Sequence, residues 1–105
     1  MIDEILKDID IPYKECQFRK APKSTYAVYS DSFKNVGADG INNLREHDIT
    51  IELYEYEPQP AVEKAIENNM DTLGIPFVKQ ERYWLESEQL YQVIYEFSYY
   101  EKRRI

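Results

Sequence analysis

From Glu88 to Lys102 the chain reads Glu-Gln-Leu-Tyr-Gln-Val-Ile-Tyr-Glu-Phe-Ser-Tyr-Tyr-Glu-Lys, and no other stretch restricts the fold so sharply. Taken as a strand, it puts Tyr91, Val93, Tyr95, Phe97 and Tyr99 on one face and Gln92, Glu96 and Ser98 on the other. That alternation describes a sheet buried on one side. At roughly 3.3 Å per residue, fourteen or so residues extend about 45 Å, well beyond the usual strand of about five or six. A small domain has little with which to cover such a strand, so sheet is expected to be left over for a partner.

The chain has 105 residues, enough for one domain that buries something over 60% of its unfolded surface around a modest core. Ten tyrosines against four phenylalanines and one tryptophan, within 43% hydrophobic residues, mark a chain that folds despite its 31% charge. Twenty acidic and thirteen basic side chains give a net charge of −7, which repels nucleic-acid phosphates and anionic membranes. Cys16 is the one cysteine, so no intramolecular disulfide is expected, and no Cys/His spacing suggests a metal site. Acids follow Met1 where a signal peptide would be basic, and no apolar run approaches the ~20 residues of a membrane span. These features predict a soluble intracellular protein.

Ile2, Ile5, Leu6 and Ile9 follow the helical spacing i, i+3, i+4, i+7, which predicts a short helix over the first nine residues, ended by Pro12. A short strand is expected within 13–19, and a second over 25–33 with Tyr26 and Val28 on one face. Residues 31–48 show no clean period around a turn-like Val36-Gly37-Ala38-Asp39-Gly40, and read as a long connection. Connections longer than about 12 residues in compact domains are commonly functional, so this one is either a contact surface or an ordinary flexible excursion. Residues 49–57 alternate strictly, with Ile49, Ile51 and Leu53 opposite Thr50, Glu52, Tyr54 and Tyr56. Pro60 opens a second helix over about 60–73 with Val62, Ala65, Ile66, Asn69, Met70 and Leu73 inward and Glu63 and Glu67 outward, stopped by Gly74. Strands over 77–84 and 90–101 are joined by Glu86-Ser87-Glu88 as a hairpin. The predicted architecture is a single α+β domain spanning 1–105, a mainly antiparallel sheet of four to five strands packed against one or two helices.

Candidate chemistry is sparse. His47 lies between Glu46 and Asp48, but neighbours along a strand point to opposite faces, so this tripeptide builds no acid/base dyad and no catalytic residue is assigned. His47, Asp48 and Asp39 lack the convergence of a metal site. Cys16 has no basic neighbour to activate it and reads as a small, partly buried residue. Three glycines cannot supply a phosphate-cradling loop, and no cofactor is implied. Glu52, Glu55, Glu57, Glu63 and Glu67 have the spacing of a solvated face. Tyr54, Tyr56, Tyr91 and Tyr95 serve either as core or as partner surface, while Tyr99 and Tyr100 read as interfacial.

Ser24-Thr25-Tyr26-Ala27-Val28-Tyr29, His47-Asp48-Ile49-Thr50-Ile51-Glu52-Leu53-Tyr54 and the closing 87–97 stretch with Lys102 together resemble the tail-completion, head-to-tail joining or tail-terminator proteins of long-tailed phages and prophages. The resemblance covers the chain from about residue 20 onward and lies in structure and residue class, with no catalytic signature. It implies a non-enzymatic virion component, assembled in the bacterial host cytoplasm. Such a protein forms a ring, commonly a hexamer, at the head-proximal end of the tail tube and meets the head connector. Sheet edges and the extended loop would make the contacts, which on this chain points to Asp31, Lys34, Asn35, Asp39, Arg45, His47, Tyr99 and Tyr100 as partner-interface residues. A second reading is an acidic inhibitor or DNA mimic encoded by a mobile element, using the Glu/Asp surface against a basic site.

Overall fold

A computed structural model describes residues 1–37 and 44–102. The elements run α1 (Ile2–Leu6), β1 (Tyr13–Glu15), β2 (Tyr26–Val36), β3 (Leu44–Glu55), α2 (Pro60–Thr72), β4 (Val78–Lys79), β5 (Tyr83–Leu85) and β6 (Leu90–Lys102). The class is α+β, and one sheet holds the strands in the order β1-β2-β3-β6-β4, with β5 also on β6. Among the described residues only β1 with β2 is parallel. The sheet has six strands, one more than the upper expectation, because the 77–84 stretch breaks into two short pieces, each paired to β6.

Strand parity builds the core. Ala27, Ile49, Ile51, Leu53, Val93, Tyr95 and Phe97 point to one face, where both helices pack through Ile2, Ile5, Leu6, Ile66 and Met70. Each fully buried aliphatic side chain contributes about 1.5–3 kcal/mol of transfer free energy, enough to hold so short a helix as α1. Asn69 ties the helices together, donating from Nδ2 to the Ile5 carbonyl at 2.8 Å and to Asp8 at 2.9 Å. Pro60 opens α2 as expected. At its other end Gly74 adopts φ +70° and the amides of Gly74 and Ile75 bond back to Asp71 and Met70, a left-handed stop that favours glycine. Among the described residues no helix is long and apolar enough to cross a membrane.

The 31–48 connection is corrected by the structure. Residues 31–36 complete β2 and 44–48 begin β3, paired without a break from Tyr26 with Tyr54 to Val36 with Leu44. The segment lacks a recognisable period because its alternating residues are Phe33, Asn35, Arg45 and His47 rather than aliphatics. The overlong C-terminal strand is real, running from Leu90 to Lys102, but its own chain lines one whole side of it: β3 pairs with it from Glu55 with Tyr91 to Leu44 with Lys102. The chain accordingly extends 50 Å along its longest axis. The first helix is shorter than expected, ending at Leu6. Cys16 is exposed rather than packed, and sits at φ 68° just past β1.

Candidate functional site

Beyond the level of Ile49 and Phe97, β2, β3 and β6 continue as a three-stranded blade whose base alone meets α1, where Met1, Ile2 and Asp3 line a cleft with Asp31 and Tyr99. Among the described residues β1 pairs with β2 only from Ala27 to Tyr29, and β4 and β5 pair with β6 no farther than Glu96. Among the described residues, both outer edges of the blade therefore present backbone donors and acceptors to which no strand is paired: 30–36 on one side and 97–100 on the other.

The blade's helix-side face carries a polar and aromatic cluster built from all three strands. His47, 7% exposed, sits on the central strand. Its Nδ1 lies 2.9 Å from both carboxylate oxygens of Asp31 on β2, and its Nε2 lies 3.0 Å from Glu101 Oε1 on β6. The imidazole stacks on Tyr99, with centroids 4.5 Å apart and planes 3° from parallel. Phe33 flanks the ring at 5.8 Å, and the Arg45 guanidinium lies 4.3 Å from the Phe33 ring centre while its Nε donates to Asn35 at 3.2 Å. Burial by itself pulls the imidazole's pKa down, but hydrogen bonds to Glu101 and Asp31, and their charges, hold it above the ordinary 6.5. With a carboxylate on each nitrogen, the protonated ring donates on both sides, and neither nitrogen is left for a substrate.

The structure thus gathers Asp31, Asn35, Arg45, His47 and Tyr99 into one cluster. Lys34 is on the opposite face, 3.6 Å from Glu46. Tyr100 is on that opposite face too, across from Glu46 and 63% exposed. Asp39 lies outside the described residues. Two members went unnoticed in the sequence, Phe33 and Glu101. The local argument about His47 holds for Glu46 and Asp48; its partners come from other strands, and cross-strand register is not written in any single segment.

A second polar group corrects the reading of the glutamates. Glu55 is completely buried and Glu63 nearly so, not solvated. Arg82 donates to Glu63 at 2.6 Å and to Glu55 at 3.4 Å; Lys79 donates to Glu63 at 2.9 Å and to Glu67 at 2.8 Å; the Tyr95 hydroxyl donates to Glu67 at 2.7 Å. Burial and a shared hydrogen bond with Glu63 push Glu55 up to about 7, so it keeps its proton well above the ordinary carboxylate range. Burial opposes ionisation of Glu63 as well, but Glu55, Arg82 and Lys79 outweigh it and bring its pKa down. The signals were present: Glu55 shares the parity of Ile49, Ile51 and Leu53, and Glu63 heads the stripe continued by Ile66 and Met70. The group fastens α2 and the 79–82 segment to the sheet. Among the described residues, no set of three or more His, Cys, Asp or Glu side chains is arranged to hold a metal ion.

No known protein family and no curated protein sequence matches the chain.

Proposed function

We propose that this chain is a non-enzymatic structural subunit of a phage or prophage virion, which forms a ring at the head-proximal end of the tail and helps join the tail to the head connector. One observation carries the reading: among the described residues no strand pairs with 30–36 or 97–100, which lie on opposite sides of the same three strands. Because β2 and β6 are each antiparallel to β3, they run parallel to one another. One copy's 97–100 edge can pair with the 30–36 edge of the next, a head-to-tail contact that closes into a ring when its rotation closes. Phe33, 53% exposed, and Tyr100 would add aromatic surface at that junction. The tail-tube and head-connector proteins would be the further partners, and the host cytoplasm the place of assembly. A net charge of −7 per subunit favours a ring through which DNA passes without adhering.

The alternative of an acidic inhibitor or DNA mimic has less support, because Asp31, Glu55, Glu63, Glu67 and Glu101 are engaged by partners within the fold. Its signature would be binding to a basic host protein that collapses as salt rises.

Two experiments test the assembly reading. Light scattering is expected to show a mass several times that of the monomer at high concentration or with tail-tube protein; a monomer under both conditions overturns it. Electron microscopy of particles made without this protein is expected to show filled heads and tails left unjoined, and normal particles would sink the assignment.

A further inference from the structure

We propose that the blade is a pH-sensitive clamp, in which an imidazolium at His47 bridges Asp31 and Glu101 to hold the far ends of three strands in register, and which loosens when the ring loses a proton. The inference rests on intramolecular geometry and stands whether or not the edges take a partner.

The donor inventory makes the argument. A neutral imidazole has one N–H and one lone pair, and an ionised carboxylate only accepts. With Asp31 at 2.9 Å from Nδ1 and Glu101 at 3.0 Å from Nε2, either neutral tautomer leaves a ring lone pair against a carboxylate oxygen. Only the cation satisfies both contacts. The groups that face the ring share this bias: Asp31 from β2, and Glu101 and Tyr99 from β6, with Glu4 of α1 adding negative charge near Tyr99. From β3 itself, Arg45 is directed over Phe33. The raised imidazole pKa agrees in direction.

Position gives the clamp its leverage. Toward the helices, Ile49 and Phe97 anchor the strands in the apolar core. Away from them the helix-side residues are Phe33, Asn35, Arg45 and Glu101, so on that face this ring and the Arg45 contacts tie the strands, while Ser98 with Asp48 and Lys34 with Glu46 do so on the opposite face. For a group whose folded pKa is raised, the stabilisation is complete below the unfolded value near 6.5 and disappears as pH climbs through the folded one.

His47 is the only histidine, so its ring resonances titrate without overlap. In the intact protein, NMR titration is expected to give a midpoint above 6.5 that moves down in both Asp31→Asn and Glu101→Gln. Hydrogen exchange is expected to show protection factors for amides 33–36, 44–47 and 99–102 falling between pH 5.5 and pH 8. The fall would be about tenfold for each unit by which the pKa is raised, with 49–53 and 93–97 changing far less. A wild-type midpoint at or below 6.5, or blade protection that does not move while the ring titrates, overturns the proposal. Both wild-type readouts remain decisive if a variant fails to fold.

Discussion

β2, β3 and β6 pass through two surroundings in one length of sheet. Under the helices their inward residues are Ala27, Ile49, Ile51, Leu53, Val93, Tyr95 and Phe97, all buried; in the blade the same parity gives Asp31, Phe33, Asn35, Arg45, His47, Tyr99 and Glu101. The covered part is held mainly by apolar burial, which is non-directional and does not itself titrate, with the buried Glu55 as a titrating exception. The uncovered part is held by backbone pairing, ring stacking and charge-assisted hydrogen bonds, which are directional and titrate. A strand ladder can thus outrun its core when side-chain chemistry changes with it, and in the part that outruns the core 30–36 and 97–100 meet no outer strand among the described residues.

The most damaging change should fall in the covered half. Leu53→Ala removes a fully buried side chain and is expected to cost about 2–5 kcal/mol in urea unfolding, with blade and body lost together. A cost under about 1 kcal/mol would mean that the core is not where the stability lies. Next comes Glu55→Gln, which mimics the protonated carboxyl. Because Glu55 has a folded pKa raised from 4.5 to about 7, the folded chain binds more protons than the unfolded one in that window. Wild-type stability should therefore decline as pH rises through 7. The slope is worth on the order of 1 kcal/mol per pKa unit; Glu63, whose pKa moves the other way, acts in a separate window, its stabilisation being lost as pH falls below the ordinary carboxylate value of 4.5. The variant should show a flatter profile, keeping only the component from His47; an unchanged profile would remove Glu55 from the account. The smallest effect belongs to the blade: Phe33→Ala, at a side chain 53% exposed, should lower global stability by less than about 1 kcal/mol while weakening self-association by scattering. A large global loss would show that blade and body are energetically one unit.

Legibility in the sequence followed the same division. Alternation at 49–57 and 90–101, the proline and glycine that bound α2, and the α+β class all rest on local apolar period or turn chemistry, and these the chain displays openly. Of the blade, 34–36 and 44–48 do not read as strand because a polar face masks period 2: Phe33, Asn35, Arg45 and His47 alternate in position without alternating in hydrophobicity. Five of the residues singled out for an interface do come together, but Glu101 joins only because Leu44 pairs with Lys102, a long-range register that no segment encodes. The glutamates show a different failure. Glu55 and Glu63 had inward parity and were set aside for their charge, whereas burial with Arg82 and Lys79 satisfies them.

The pairing of β3 with β6 also bears on how quickly this chain can fold. β2 and β3 meet across a short connection, but β3 meets β6 only after α2, β4 and β5 have intervened, with Glu55 beside Tyr91 and Leu44 beside Lys102. Closing so wide a loop precedes any reward from the contacts that it allows, which places folding in the range of about milliseconds to seconds rather than microseconds. Until that closure, Ile49, Ile51 and Leu53 lie on an open hairpin, and the interval before β6 arrives is when this protein is most exposed to pairing with the wrong strand.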